Sequence, residues 1–423
     1  MIAKTPPMGW NSWDCYGAAV TEDIVRANAE FMAKNLRRFG WEYVVVDIQW
    51  YEPTADTHEY HPFAELCMDV YSRLLPAENR FPSAAGGKGF APLAEYIHSL
   101  GLKFGIHIMR GIPRQAVHRN AAIKGSDKRA CDIAKGSDVC MWNTDMYGVD
   151  ASKPGAKEYY DSLFELYASW GVDFVKCDDI ARELDHAEDE LLLISEAAKN
   201  CGRDIVLSLS PGPAPLEKAE LFKKTVNMWR MTDDFWDSWP SLYNMFERCD
   251  KWARHNGAGH WADADMLPLG AVRQVYGEEN FTRFNQEEQM TMMTLWSIFR
   301  SPMMMGGDLT KCDKFTFGLL TNAGILEMLS RSRGARQIYR GEIDGKEAVI
   351  WTAYRAGGGA YIALFNLSDE KSRIAVSFED CEVEDGDYQI TGLWSGFSSR
   401  SAEGVGANVP PHGAAAFRIE KIQ

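Results

Sequence analysis

Residues 170–178 read Trp-Gly-Val-Asp-Phe-Val-Lys-Cys-Asp, and this stretch decides the fold. An amphipathic segment from Pro154 to Trp170 precedes it, and Gly171 follows that segment as glycine follows a helix end. The largely apolar run that comes next has the composition of a strand buried in a parallel sheet, and it ends on Asp178. The stretch therefore predicts a helix, then a buried strand, with an acid at the carboxyl end of the strand.

The same alternation of apolar runs and amphipathic segments fills about the first 330 residues. The predicted strands are Met8–Trp13, Val44–Ile48, Lys103–Ile108, Val172–Asp178, Ile205–Ser210, Val226–Arg230, Ala262–Met266 and Pro302–Met305. Clear helical patterns cover Thr21–Phe39, Pro154–Trp170, Asn285–Phe299 and Thr316–Leu329. Strands that are each followed by a helix predict an α/β fold, the (β/α)₈ TIM barrel. Some of these strands are weak, and the count of eight draws on the resemblance described below.

The sequence changes character from about residue 335. Short β-rich runs cover residues 348–354, 360–366, 372–378 and 414–420, and turns rich in Gly, Asp and Asn separate them. This pattern predicts a small antiparallel β-sandwich after the barrel. The expected division is a catalytic barrel at residues 1–332 and a C-terminal antiparallel β domain at residues 333–423. We favour a packing role for the second domain, since a fold alone does not make a binding site.

The overall charge limits the kinds of partner that the protein is expected to bind. The chain has 45 Lys and Arg against 60 Asp and Glu, for a net charge of −15, which repels phosphate backbones and anionic lipid. No apolar run approaches the ~20 residues that span a bilayer. Neither nucleic acid nor a membrane is therefore an expected partner, and self-association stays open. Nine cysteines without a Cys-x-x-Cys pair, and a start without an apolar leader, indicate a cytoplasmic protein, although a trimmed secreted protein would read the same.

Acidic residues stand at or just beyond the ends of several predicted strands. They are Asp47, Asp178, Asp234 and Asp265. A charged group at the end of an apolar strand is costly unless it faces a polar cavity. The carboxyl ends of barrel strands meet at one mouth, so these acids are expected to converge there. Such a group of carboxylates indicates either a metal site or the hydrolysis of a sugar.

Sugar hydrolysis is the favoured interpretation. No His/Asp cluster has ligand spacing and His107 is the one nearby imidazole, so neither a metal nor an organic cofactor is expected. Hydrolysis needs two carboxyls with different tasks. Lys176 shares a strand face with Asp178 and would keep it ionised, although a structural ion pair is the alternative. Asp179 and Asp233 are second choices, because in an extended chain they point away from their neighbours.

The chain resembles glycoside hydrolase family 27, the family of α-galactosidases and α-N-acetylgalactosaminidases. The residues that carry the likeness are Pro7–Trp13, Gly101–Ile106, Trp170–Asp178, Trp229–Arg230 with Asp234, Asp237–Trp239 and Trp261–Leu267. The resemblance extends over essentially the whole chain. It implies a barrel followed by an antiparallel β domain, and a retaining mechanism through a covalent glycosyl-enzyme.

The resemblance also implies roles for single residues. Asp178 matches the nucleophile of the family and Asp234 matches its acid/base. The residues that match contacts to the sugar are Asp47, Lys176, Arg230 and Asp265, with Trp13 as an aromatic wall of the pocket. His107 stands where the family usually has Tyr, and Ser210 begins the loop that reads the substituent on carbon 2 of the sugar.

Departures from the family pattern leave the sugar open. Ile48 replaces the second Asp of a pair that typical α-galactosidases carry after strand two, Ser210–Pro213 replaces a Glu-Trp sequence, and Ile180 replaces a disulfide cysteine. The predicted function is a retaining exo-glycosidase of terminal α-galactosyl or closely related residues. The alternatives are α-N-acetylgalactosaminidase, β-L-arabinopyranosidase or isomaltodextranase-like specificity. A non-catalytic sugar-binding protein and a metal-dependent barrel enzyme are the competing classes.

Overall fold

A parallel eight-stranded sheet forms the first part of the computed structural model, which describes residues 2–276 and 280–422. Its strands are β1 (Met8–Asn11), β2 (Tyr43–Val46), β3 (Lys103–Met109), β4 (Phe174–Asp178), β5 (Val206–Leu209), β6 (Met228–Arg230), β7 (Trp261–Asp263) and β8 (Met303–Met305). They lie in the order β7-β6-β5-β4-β3-β2-β1-β8. A parallel bridge between Leu267 and Met305 brings the chain after β7 against β8, so the sheet curls round on itself. The predicted barrel is confirmed.

Helices follow the strands and cover the sheet. They are α1 (Glu22–Asn35), α2 (Ala91–Ser99), α3 (Ala156–Ser169), α4 (Leu184–Asn200), α5 (Ala219–Thr225), α6 (Trp239–Trp252), α7 (Gln286–Phe299) and α8 (Ala323–Arg331). The single helix expected at Thr316–Leu329 is instead two, Lys314–Leu320 and α8. The break occurs because the Asn322 side chain accepts a hydrogen bond from the Ile325 amide and starts a new helix there. Within the described residues, no helix has the length and apolar character needed to cross a membrane.

Two long connections follow β2 and β3. The connection after β3 has structure of its own, with strands Ile112–Pro113, Ala134–Val139 and Met146–Val149 in one small sheet and short helices at Arg114–His118 and Ala130–Ile133. The connection after β2 is irregular, and Arg80 holds it by donating to the carbonyls of Gln49 (2.7 Å), Glu52 (2.9 Å) and Val20 (2.7 Å). Both connections leave the carboxyl ends of their strands, where a barrel places its ligand site.

The C-terminal part is antiparallel, and its predicted β-sandwich is confirmed. Its strands are β9 (Ser332–Ile343), β10 (Lys346–Arg355), β11 (Ala360–Asn366), β12 (Ser372–Ser377), β13 (Tyr388–Gly392), β14 (Ser398–Ser401), β15 (Gly404–Val409) and β16 (Ala414–Lys421). Six of them form a sheet in the order β9-β10-β11-β16-β13-β14, and β12 pairs with β15 in a second sheet. The exact division into domains at residues 332/333 stays a prediction.

The larger C-terminal sheet contributes to two hydrophobic cores. On one face, Trp351, Tyr361 and Phe365 belong to the same buried cluster as Trp296 and Phe299 of α7. On the other face, residues such as Ile362 and Phe417 pack with Ile374 of β12. Because side chains alternate between the two faces of a strand, each long strand of this sheet serves both cores.

Candidate active site

A cavity of about 340 Å³ lies at the carboxyl ends of the barrel strands. Most of the predicted site residues line it, namely Trp13, Asp47, Lys176, Asp178, Arg230, Asp234 and Asp265. The other lining residues are Asp14, Tyr60, Trp142, Arg182, Pro211, Asp233, Phe235, Trp236 and Met266. The two acids expected to share the chemistry, far apart in the chain, thus open onto one cavity. Its volume lies within the range of small-molecule sites.

Asp178 is the last residue of β4 and has a specific electrostatic environment. His107 Nε2 lies 3.0 Å from Asp178 Oδ2, and the His107 side chain is fully buried. Burial alone would raise the pKa of Asp178, but the His107 hydrogen bond and charge, followed by the Lys176 charge, hold it well below its usual range. The Ser210 hydroxyl acts in the same direction, although it has no hydrogen bond of normal geometry. Asp178 is therefore a carboxylate at neutral pH.

Lys176 makes its close contact with Asp47. Its Nζ lies 2.8 Å from Asp47 Oδ2, and the Asn11 side-chain amide donates to the same oxygen at 2.8 Å. Burial opposes ionisation of Asp47, but the charges of Lys176 and His107 outweigh it and lower the pKa of Asp47. Lys176 is thus shared between two carboxylates. It is in direct contact with Asp47, and it acts on Asp178 through its charge.

Arg230 forms ion pairs with two acids of the cavity, Asp234 and Asp265. Its Nη2 lies 3.0 Å from Asp234 Oδ1 and 2.7 Å from Asp265 Oδ2. Burial raises the pKa of Asp265 to about 7 against the lowering effect of Arg230, and the charges of Asp234 and Asp263 add to the rise. The Asp234 side chain is 61% exposed, whereas that of Asp178 is 14% exposed. Asp234 therefore stands at the mouth of the cavity and Asp178 stands deeper.

The backbone leaves the strands through unusual conformations. Gln49, Asp179 and Asp265 all have left-handed φ angles, of 62°, 61° and 83°. Such angles are uncommon for residues other than glycine, and they cluster at functional sites. The turn at Asp179 directs its carboxylate to Arg110 (3.0 Å), away from the lining of the cavity. Asp233, the other second choice, pairs with Arg182 at the rim at 3.2 Å.

Sequence reasoning missed several residues of the cavity wall, among them Tyr60, Trp142 and Asp14. Tyr60 and Trp142 come from the long connections, and the Tyr60 ring lies 5.6 Å from the rings of both Trp13 and Trp142. Neither residue follows a strand or sits in a periodic pattern, so no local signal could have found them. Asp14 is different. It follows β1 just as Asp47 follows β2, and the rule that found the other acids would have found it too.

The described side chains also bear on the metal site and the disulfide that the sequence raised. Among the residues that the structure describes, no group of three or more His, Cys, Asp or Glu side chains could hold a metal ion. The nine cysteines are all free thiols. Ile180, which replaces the disulfide cysteine of the family, is fully buried in the apolar core.

Two family profiles match the chain. One, described as alpha galactosidase A, matches residues 125–329, and the other, described as alpha galactosidase C-terminal beta sandwich domain, matches residues 345–419. Among curated proteins, an alpha-galactosidase of Oryza sativa subsp. japonica is 26% identical over 97% of this chain and 84% of that protein. The matches cover both the barrel and the β-sandwich.

Two solved structures are more similar to this chain than the Oryza sativa protein is. The GH27 β-L-arabinopyranosidase of Geobacillus stearothermophilus is 56% identical, with a TM-score of 0.95 over 99% of this chain and 97% of that one. A protein of Bacillus halodurans C-125, named as a candidate alpha-N-acetylgalactosaminidase, is 51% identical, with a TM-score of 0.89 over 100% and 99% of the two chains.

A parallel barrel whose mouth holds an ionised deep acid and an exposed outer acid has the two carboxyl groups that a glycoside hydrolase needs. With relatives this similar over the full length, the chain belongs to glycoside hydrolase family 27. The predicted family, fold and class of activity, on terminal galactosyl or closely related residues, are confirmed.

Proposed function

We propose that this enzyme is a retaining exo-β-L-arabinopyranosidase that also cleaves α-D-galactosides, more slowly. The two sugars are closely related, since β-L-arabinopyranose has the ring of α-D-galactopyranose without the hydroxymethyl group on carbon 5. Support comes from the 56% identity with an enzyme of that name, which has also been crystallised as a variant in complex with arabinose. From the sequence, α-galactosyl residues are favoured and β-L-arabinopyranosidase is an alternative. The proposal selects that alternative.

The observation that carries this proposal is the environment of Ile48. Ile48 is 1% exposed and packs with Met109, Cys140 and Met146. This apolar cluster lies against Trp13, Tyr60 and Trp142 of the cavity wall. In typical α-galactosidases the equivalent residue is an Asp that contacts the sugar around the axial 4-hydroxyl, next to carbon 5. Here that contact is either missing or made by Gln49, and the Ile48 side chain is apolar.

An apolar wall next to carbon 5 favours the smaller sugar. A hydroxyl buried without a partner costs about 1–3 kcal/mol, which corresponds to roughly 5–150-fold in binding. A pentopyranose has no hydroxymethyl group to satisfy and avoids that penalty. A hexopyranose must either leave a hydroxyl unpaired or displace the apolar wall.

The proposed reaction uses two acids in turn. Asp178 attacks the anomeric carbon as the bond to the leaving oxygen breaks, and Asp234 gives that oxygen a proton. Water then attacks the resulting ester, Asp234 takes its proton, and Asp178 leaves as a carboxylate with the configuration of the sugar retained. The low pKa of Asp178 suits the attacking role. Contacts to the sugar are assigned to Trp13, Asp47, Lys176, Arg230 and Asp265, and His107 and Ser210 support the nucleophile.

A second candidate, α-N-acetylgalactosaminidase, is favoured by one feature. Ser210–Pro213 is a run of small residues where the family reads the substituent on carbon 2, and small residues leave room for an acetamide. Nitrophenyl β-L-arabinopyranoside, α-D-galactopyranoside and N-acetyl-α-D-galactosaminide should therefore be compared directly. We expect kcat/KM to be about tenfold or more higher for the arabinoside than for either hexoside. Faster cleavage of the N-acetyl sugar would replace the proposal with this candidate.

A further inference from the structure

Another acid of the cavity, Asp14, has no task in the reaction as proposed. It lies in the short helix Trp13–Tyr16 that follows β1, and it lines the cavity together with Asp234 and Asp265. The residue is only 3% exposed, and within the described part of the chain its Oδ2 has no hydrogen-bond partner. A buried polar atom without a partner is uncommon and calls for an explanation.

The neighbouring backbone is built to admit this carboxyl group. A Cβ atom at Gly306, one residue after β8, would collide with Asp14 Oδ2. Glycine at that position therefore leaves the space that the acid occupies. Two distant segments of the chain, one after β1 and one after β8, therefore fit together at the Asp14 carboxyl group.

The charges around Asp14 oppose its ionisation. Burial is the largest effect, the Asp265 charge adds to it, Lys176 acts in the opposite direction, and Asp234 and Asp47 raise the pKa further. Together they raise the pKa of Asp14 well above its usual value. Asp14 therefore keeps its proton to a higher pH than an ordinary aspartic acid does.

The two cations nearest to the acids of the cavity are engaged with carboxylates. The close contacts of Lys176 and Arg230 are already with the carboxylates of Asp47, Asp234 and Asp265. Ionised carboxylates can only accept hydrogen bonds. The ring oxygen and the glycosidic oxygen of a sugar are acceptors as well, so they cannot bond to an ionised carboxylate. A protonated carboxyl group supplies the donor that such an oxygen needs.

We infer that Asp14 is a substrate-contacting residue, whose carboxyl group exchanges a hydrogen bond with the glycoside bound in the cavity. The inference rests on the proposed function, because it takes a glycoside as the occupant. It gives a reason for a buried acid in the cavity wall, since the glycoside supplies a hydrogen-bond partner there. Its removal should weaken the binding of sugar while relieving the fold of a buried polar group.

Asp14→Leu and Asp14→Asn test this assignment. Leucine has a similar size and no hydrogen-bonding group, whereas the asparagine amide can still donate. We expect Asp14→Leu to lose about tenfold or more in kcat/KM on nitrophenyl β-L-arabinopyranoside, and Asp14→Asn to recover at least about fivefold of that loss. The melting temperature of Asp14→Leu should equal or exceed that of the parent, because an unpaired buried acid is replaced by an apolar side chain.

Calorimetric titration with L-arabinose in an Asp178→Asn background provides a second readout that needs no turnover. The affinity should fall when Asp14→Leu is added. Parent-like binding and turnover of Asp14→Leu would overturn the inference, and so would a fall in melting temperature that accompanies the loss of activity without recovery in Asp14→Asn. If the parent cleaves no arabinoside, the proposed specificity fails instead, and the same variants are then compared on the α-galactoside with galactose as the titrant.

Discussion

At the scale of single residues, the site depends on how His107 and Lys176 keep a buried carboxylate ionised. Their contributions outweigh the burial of Asp178 and lower its pKa. Loss of either should therefore raise that pKa. A nucleophile that takes up a proton in mild acid stops working there, so the acidic limb of the pH profile reports this balance.

The variant His107→Phe tests the balance. Without the His107 contact, the pKa of Asp178 rises, and the acidic limb of kcat/KM against pH should move upward by about one unit or more. The loss of activity should grow as the pH falls through the acidic limb, and activity at about pH 7 should change least, because only the ionised form of Asp178 attacks. His98→Phe is the matched control, since His98 Nε2 lies 2.7 Å from Asp173 in a His–Asp pair outside the cavity lining. Equal shifts in both variants would contradict the assignment.

The two proposed catalytic acids should respond differently to substitution. Asp178→Asn is expected to abolish turnover with the fold intact, because no ester can form. Asp234→Ala should lose roughly 10²–10⁴-fold on alkyl glycosides and much less on nitrophenyl glycosides, whose leaving group needs little protonation. Asp233→Asn is the control. It removes a negative charge one residue from Asp234 and should have a small effect on turnover. Steady-state kinetics on both substrate types measures all three, and full activity of Asp178→Asn would refute the mechanism.

At the scale of elements, Arg110 fixes the connection after β3 to the end of β4. Its guanidinium lies 3.0 Å from a carboxylate oxygen of each of Asp138, Asp179 and Glu190, and it also donates to the Asp179 carbonyl at 2.8 Å. Burial raises the pKa of Glu190 and of Asp179, and Arg110 opposes both rises. Arg110 thus sets the position of the turn that follows Asp178.

Replacement of this cation should cost stability. Arg110→Met leaves buried carboxylates unpaired, and we expect the free energy of unfolding to fall by about 3–5 kcal/mol. Arg119→Met, in the same connection, removes an ion pair with Glu65 whose side chains are 56% and 79% exposed, and it should change stability by less than about 1 kcal/mol. Urea unfolding of both variants measures the difference. Similar small losses would show that the buried network does not hold the connection.

Elements with a strong local pattern could be predicted from the sequence, and those that depend on distant contacts could not. The barrel strands were found because a strand buried on both faces is an apolar run, and the acids because a charge after such a run needs a cavity. Within the predicted helix at residues 316–329, one side-chain cap at Asn322 outweighed a continuous apolar pattern. Tyr60 and Trp142 reach the cavity through irregular connections, whose course depends on contacts such as those of Arg80.

At the scale of the whole molecule, the C-terminal sheet completes the core of the barrel. The Phe299 and Trp351 ring centroids lie 6.4 Å apart, and those of Phe246 and Phe365 lie 5.0 Å apart. His412, just before β16, stacks on Trp239 of α6 with centroids 3.7 Å apart, and its Nδ1 lies 2.9 Å from Glu288 of α7. Helices α6 and α7 therefore need the sheet to cover their apolar faces.

This shared core predicts cooperative unfolding. Scanning calorimetry of the full chain should show one transition, because neither part can lose its structure without exposing the core of the other. Trp351→Ala should lower the free energy of unfolding by about 3–5 kcal/mol and keep the single transition. Tyr339→Ala is the control, since Tyr339 also belongs to this sheet but is 37% exposed. Two resolved transitions in the parent protein would contradict a shared core.

The unequal depth of Asp178 and Asp234 has a consequence for what the enzyme can synthesise. Once the first product has left, the sugar ester is held at the deeper acid, while the outer one faces the bulk solution. In the proposed mechanism a dissolved alcohol that reaches that outer carboxylate can be deprotonated there as water is. An added acceptor should therefore take the glycosyl group, which makes the enzyme a transglycosylase whose yield of new glycoside rises with acceptor concentration.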